Sequence, residues 1–250
     1  MLRFKKQCFV AMLDIMGFKS LVEQDLETTY KLLSRVYKEA KRQIQYKTLD
    51  FSIFSDTIII VSHNDDIESF EDIIISSAHF IRLFIKEGFA INGAITYGDV
   101  VYDKSKNICF GTPVSNAHLL QANLFCYGVI VDESAINKVK YHWHKLFSTY
   151  WNFISDDIIL KLTIPFKKGD QKSMYFVNWL EIEKPQSSYS EQICIAKQQL
   201  SKLYNQLPDC DRVHNYFNNT ERCLKEWYDF TGQKNNLPGW GQLIGKDIIA

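Results

Sequence analysis

Two acids are where this sequence can do chemistry. Asp14 closes an apolar run, Phe9 to Leu13, that reads as a buried strand, and Gly17 follows to let the backbone turn sharply into a helix. Asp56 stands at a Ser-Asp-Thr corner between two short runs rich in Phe and Ile, the pattern of a hairpin tip. If those strands are neighbours, the carboxylates converge. Two carboxylates on adjacent strand ends, beside a turn that opens a helix, suit a divalent cation carrying a triphosphate. Hard oxygens hold the ion, and the N–H groups of the turn and helix start face phosphate oxygens. Taken singly, an Asp at a strand end is more often a helix cap or a solvated turn residue. The pair is what informs.

The elements that must position these acids follow from periodicity. Phe18 to Ile44 has helical spacing, as one long helix or two in sequence, and Phe51 to Val61 is the hairpin. Ile67 to Lys86 is amphipathic and stops at Gly88. The stretch FAINGAITYGDVVY then reads as a strand interrupted at Gly93 and turned at Gly98, its tail able to pair back on itself. Strand, helix, two strands, helix, strand is the order of a ferredoxin-like split βαβ sheet, so the fold class is α+β, with a βαββαβ antiparallel sheet at its centre. In that layout the first strand and the hairpin are neighbours, as the acid pair requires.

Beyond the sheet, Pro113 marks a helix start running to about Phe125, and a strand follows at Val129 to Val131 with Asp132 as a cap. Ile158 to Pro165 and Met174 to Glu183 alternate as two extra strands around a polar KKGDQKS turn. Ser190 to Leu207 and Asp211 to Asp229 read as two helices around Pro208. The expected organisation is a catalytic domain over 1–185 and a C-terminal helical appendage over 186–250, packed on the same domain.

Composition removes several classes of function. In 250 residues, 29 Lys and Arg balance 29 Asp and Glu, leaving no electrostatic footprint for nucleic acid or an acidic membrane. The aromatic share is 14%, but those residues lie on core faces rather than among cations, which argues against a base-stacking groove. Six cysteines, with no CxxC, read as reduced core residues of a soluble, cytoplasmic protein, and no apolar run approaches the length of a membrane span. His142 and His144 alternate around Trp143 as on a strand, without an acidic or thiol partner at ligand spacing, so they read as surface or packing residues. His63 and His118 are lone histidines of structural type, and Asp156-Asp157 reads as a turn.

The motifs taken together, Asp14-Ile15-x-Gly17-Phe18, the hairpin acid, Asn92-Gly93-Ala94-Ile95 with Gly98, and Phe110-Gly111 leading into Val114-Ser115-Asn116-Ala117, resemble the catalytic domain of class III nucleotide cyclases over Val10 to Val131. Within that group the sequence is most similar to the small pyrimidine cyclases of bacterial Pycsar anti-phage systems, which share the L-D-I-x-G-F-K start and an F-S-D hairpin. The resemblance implies that Asp14 and Asp56 bind two Mg²⁺ or Mn²⁺ ions, with the Ile15 carbonyl as a backbone ligand. It also implies that Met16, Gly17, Phe18 and Lys19 form the phosphate-cradling turn. The implied reaction is attack of a ribose 3′-hydroxyl on the α-phosphate of UTP or CTP, with pyrophosphate leaving.

At the positions where purine cyclases read the base, this chain has Ser52 and Ile108, and an adenine or guanine reader is absent. The transition-state Asn and Arg of adenylate cyclases fall on Ser115 and Leu119, and an Arg common in the pyrimidine group is Asn92. Lys19, Lys104 or a cation of a partner subunit is expected to replace it. The family further implies a homodimer with shared sites, and a downstream effector that senses the cyclic product. The competing expectation is a degenerate cyclase-fold protein that binds nucleotide or a partner without turnover.

Overall fold

The computed structural model describes residues 5–44, 48–106, 108–141, 158–179, 194, 195, 198, 199 and 211–232. Strand β1 (Lys5–Ile15) runs into a short helix, α1 (Phe18–Gln24), and a longer one, α2 (Leu26–Ile44). Of the two expectations for this stretch, the split one holds, and Asp25 is the reason. Its Oδ1 accepts from the N–H groups of Glu27 and Thr28 at 2.9 and 3.1 Å, capping α2 and ending α1. The hairpin is β2 (Leu49–Phe54) and β3 (Thr57–Ser62), followed by α3 (Ile67–Lys86) with Asp66 as its cap. Then come β4 (Ile91–Asp103), β5 (Ile108–Gly111), α4 (Thr112–Asn123), β6 (Gly128–Val131) and α5 (Glu133–Val139). The strands β7 (Ile159–Pro165) and β8 (Gln171–Val177) and the helix α6 (Asp211–Gly232) complete the described chain.

The sheet has eight strands in the order β2-β3-β1-β4-β6-β8-β7, with β5 pairing the far end of β4. Both neighbours of β1 are antiparallel to it, as the ferredoxin-like order requires. The sheet is not antiparallel throughout. β6 lies parallel to β4, because α4 carries the chain back across the sheet before β6 begins.

β1 is buried on both faces, which is why it reads as an unbroken apolar run. Phe9, Ala11, Leu13 and Ile15 join Phe70, Ile74 and Ile81 of α3 and Leu32 and Val36 of α2 in the main core. Cys8 and Val10 join Val61 and Val100 on the other face, with Cys109 and Val114 packed against them. Each large side chain so buried contributes roughly 1.5–3 kcal/mol. Asp14 continues the second face and is half-buried there.

Gly93 does not interrupt β4, nor does Gly98 turn it; the strand is continuous. The glycine at 93 serves close approach instead. A Cβ there would lie 2.6 Å from the Met12 carbonyl oxygen and 2.6 Å from Leu13 Cδ2. Gly93→Ala is therefore expected to destabilise the fold by about 1–3 kcal/mol, measured as a lowered urea midpoint.

β8 also departs from expectation, since it starts at Gln171 and ends at Val177 rather than spanning Met174 to Glu183. α6 is fixed to the sheet by polar contacts. Tyr216 Oη donates to the Leu124 carbonyl at 3.0 Å, Asn219 Nδ2 donates to that of Phe125 at 2.8 Å, and Thr220 Oγ1 accepts from Tyr127 N at 2.8 Å. Of the other expected C-terminal helix, 194, 195, 198 and 199 are helical and its remainder lies outside the described residues. His142, His144, Asp156, Asp157 and the boundary at 185 also lie outside them. Cys8, Cys109, Cys126, Cys194 and Cys223 are free thiols. Among the described residues no helix is long and apolar enough to cross a membrane.

Candidate functional site

A main-chain clasp brings the two acids together. The N–H of Ile15 donates to the carbonyl of Asp56 at 2.8 Å, fastening the hairpin tip to the end of β1. In register, Asp14 lies opposite Thr57 on one side and Asn92 on the other. Residues so paired have their side chains on one face of the sheet. Ser55, beside Asp56, has φ 56°, in the left-handed region that costs a non-glycine residue roughly 1–2 kcal/mol. Strain of this kind is held where the surroundings fix the chain, and here it sets the corner that carries Asp56.

On the other flank, Met16 N donates to the Ala90 carbonyl at 2.9 Å, and Gly17 turns the chain at φ 78° into α1. Met16 is half-buried and Lys19 is exposed, 3.6 Å from Glu23. Phe18 belongs to the core at 9% exposure, so any part it takes in holding phosphate falls to its main chain. The same is true of Ile15, at 1%.

The electrostatics of Asp14 set it apart. Burial first, and the charge of Asp56 second, push its carboxyl up from 3.8 to about 6, against the pull of Lys167 and His118. No described residue donates a hydrogen bond to it. An acid held ionised at neutral pH beside another acid, without donors, lacks positive charge. Lys167, in the β7–β8 turn, supplies part of it: its main-chain N–H donates to Asn123 O at 2.8 Å and its ammonium to the Ala122 carbonyl. Burial and nearby Arg212 of α6 hold that ammonium below the usual lysine value.

The remaining expected residues divide. Asn92 is brought beside Asp14, its Oδ1 accepting from Gln121 Nε2 at 2.9 Å. Ser52 is exposed on β2, two strands away from β1. Lys104 is engaged by Asp50, which also meets His63 at 3.2 Å. Ile108 and Ser115 are not brought to the acids within one chain, and Leu119 is exposed on α4 next to His118. α4 runs back along β4, with Thr96 donating to the Pro113 carbonyl at 2.8 Å near one end and Gln121 against Asn92 at the other. Ser115 therefore sits toward the end remote from Asp14. Ile108 pairs with Asp103, at the far end of β4.

Lys167, His118 and Gln121 were not singled out for this site by the sequence. The three-residue step from His118 to Gln121, which places both on one face of α4, was the available signal. Nothing in a polar turn marks Lys167.

Among the described residues no group of three or more His, Cys, Asp and Glu gathers as a closed metal cage. Two half-buried carboxylates, of which Asp14 has no hydrogen-bond donor among the described residues and is raised in pKa by burial and then by the charge of Asp56, fit a hard cation that takes its other ligands from phosphate or water. Mn²⁺ binding is accordingly expected to weaken as pH falls through about 6, by up to tenfold per pH unit, because the proton and the ion compete for Asp14. Titration calorimetry at pH 5, 6 and 7 measures it.

The same arrangement of strands and helices is found in proteins of known structure. A dimeric guanylyl cyclase domain of the RhoGC fusion protein from the aquatic fungus Blastocladiella emersonii superposes with a TM-score of 0.51 at 13% identity, covering 69% of this chain and 97% of that one. A monomeric form of the domain from that fungus gives 0.50 at 13%, over 69% and 95%. The catalytic core of a rhodopsin-guanylyl cyclase with converted specificity, in complex with ATPalphaS, gives 0.50 at 13%, over 70% and 98%. The fold is that of a nucleotidyl cyclase catalytic domain. No family model matches the chain, and no curated protein does.

Proposed function

We propose that the protein is a nucleotidyl cyclase that converts a pyrimidine nucleoside triphosphate, UTP or CTP, to its 3′,5′-cyclic monophosphate and pyrophosphate. The observation that carries this reading is the convergence of Asp14 and Asp56 where the hairpin tip is fastened to the end of β1, with Asp14 raised toward neutrality by burial first and by the charge of Asp56 second. Asp14 and Asp56 would hold the cations, with the main chain at Ile15, and the Met16 to Lys19 turn offers the N–H groups of Gly17, Phe18 and Lys19 to phosphate oxygens, that of Met16 being taken by the Ala90 carbonyl. Two Mg²⁺ or Mn²⁺ ions, when bound, offset phosphate charge and acidify the attacking hydroxyl. Lys167 adds fixed positive charge at the same end. No side-chain nucleophile takes part.

Exposed Ser52 and Ile108 lack the charge that would select a purine edge, which supports the pyrimidine assignment. The separation of Ser115 and Ile108 from the acids within one chain supports a homodimer in which each protomer completes the other's site. Phe54, Ile108, Phe110 and Leu119, exposed at 82%, 42%, 54% and 59%, are suited to that contact. On this reading the cyclic product is a second messenger of bacterial antiviral defence, sensed by a separate effector. Exposed Leu119, where an arginine would stabilise the transition state, favours the second reading of a nucleotide-binding protein without turnover.

Incubation with Mn²⁺ and each of the four ribonucleoside triphosphates, with products resolved by chromatography, separates these readings. Cyclic UMP or cyclic CMP is the expected product. Cyclic AMP or cyclic GMP alone would overturn the base assignment, and binding without any product would leave the second reading standing.

A further inference from the structure

The Asn92 side chain is left half satisfied in a place where polar groups are seldom left so. It is 1% exposed, its Oδ1 is taken by Gln121, and its Nδ2, with two N–H groups, has no partner among the described residues. Gln121 is itself buried at 8%, in the last turns of α4. A buried donor without an acceptor destabilises the fold, and replacing both partners of such a pair with apolar residues of similar shape would remove that burden. The donor is therefore best accounted for by a ligand.

Its surroundings say which kind. Asn92 is the cross-strand partner of Asp14, on the same face of the sheet. Charge fixes which way the amide is turned, since the opposite orientation would bring its oxygen toward a carboxylate that already feels Asp56. Gln121 matches that orientation by giving Nε2 to Asn92 Oδ1 at 2.9 Å, so the Asn92 N–H groups are what remains to offer. An acid pair short of cations and an amide short of acceptors thus stand side by side. A ligand that brings a cation and an anionic oxygen together satisfies both.

We propose that Gln121 is a positioning residue, locking the Asn92 amide so that Nδ2 donates to a phosphate oxygen of the ligand that enters with the cation at Asp14 and Asp56. The inference rests on the reading of this end of the sheet as a metal–triphosphate site. It gives the phosphate a neutral, buried donor at the position where the sequence lacks an arginine, and it ties that donor's direction to a residue on a different element.

The test uses inorganic triphosphate with Mn²⁺, which leaves the base out of the question. Its affinity is measured by calorimetry for wild type, Asn92→Ser, Gln121→Met and Asp14→Asn, with Mn²⁺ alone as a parallel titration. Asn92→Ser and Gln121→Met are expected to weaken triphosphate binding about tenfold or more while Mn²⁺ alone binds within about twofold of wild type, the mark of a lost hydrogen bond to the anion. In ¹⁵N NMR the Asn92 side-chain amide pair, assigned by its absence in Asn92→Ser, is expected to shift when Mg²⁺ and triphosphate are added together. In turnover the same variants raise KM and leave kcat nearly unchanged. Unaltered triphosphate affinity in both variants, or an Asn92 amide signal that does not move, overturns the role of the pair while Asp14→Asn still abolishes binding. Wild type that fails to bind Mn²⁺ with triphosphate overturns the site reading itself.

Discussion

Asp14→Asn is expected to give a protein that is more stable than wild type and has lost at least about a thousandfold of its turnover. The gain follows from linkage. The folded-state pKa of Asp14 is about 6 against an ordinary 3.8, so the ionised carboxylate is worse off in the fold than in the unfolded chain. That cost is present in full above pH 6, shrinks as pH falls through 6, and is gone below 3.8. An amide never bears it. At pH 7 the variant should exceed wild type by about 1–3 kcal/mol, the lower figure allowing for the carboxylate's residual contact with water. The difference should vanish near pH 4. Acids such as Asp50 and Asp65, whose carboxyls are held below the usual range, weaken the fold only at more acid pH. They are common to both proteins and cancel in the comparison. Urea denaturation of the two proteins from pH 4 to 8, without metal, measures the effect. A variant less stable than wild type at neutral pH would mean that Asp14 serves the fold rather than a ligand. The loss of turnover follows because half of the carboxylate pair that holds the cation would be gone.

Phe110→Asp is expected to separate the proposed dimer and with it the activity. Phe110 is 54% exposed on β5, a strand that contributes Cys109 to the covering of one sheet face and turns Ile108 and Phe110 outward. Burying a phenyl ring contributes roughly 2 kcal/mol, and a two-fold contact loses it twice, so the dimer constant should weaken about a thousandfold before the added charge is counted. Sedimentation at micromolar concentration should show dimer for wild type and monomer for the variant. Specific activity of the variant should fall about a hundredfold at that concentration and recover in part at high protein concentration. Because the ring is exposed in the single chain, its thermal midpoint should stay close to wild type at concentrations where both are monomeric. Full activity in a monomeric variant would show that one chain holds a complete site.

The residues that were legible in the sequence are those whose local signals agree with the final packing. Asp14 follows an apolar strand and Gly17 turns the chain; Asp56 sits in a two-residue corner flanked by β-branched and aromatic residues. The order of elements then makes β1 and β3 neighbours, and this is what brings the acids together. Gly93 was misread because a glycine in a strand carries the same letter whether it breaks the strand or admits its neighbour closely. Only the contact with Met12 and Leu13 tells them apart. The parallel pairing of β6 was invisible for a related reason, since it depends on where α4 lays the chain down. Gln121 and Lys167 reach the site from α4 and from the β7–β8 turn, and neither has a local pattern that announces it. Their part is set by tertiary packing, by the carbonyls at the end of α4 that hold Lys167 and by the amide of Asn92 that holds Gln121.

The most direct test is to locate manganese. Crystals grown with Mn²⁺ and a non-hydrolysable UTP analogue, with diffraction collected at the manganese edge, are predicted to show anomalous density between the Asp14 and Asp56 carboxylates and the analogue's phosphates. Manganese bound elsewhere, or a nucleotide bound away from these two acids, would contradict the account.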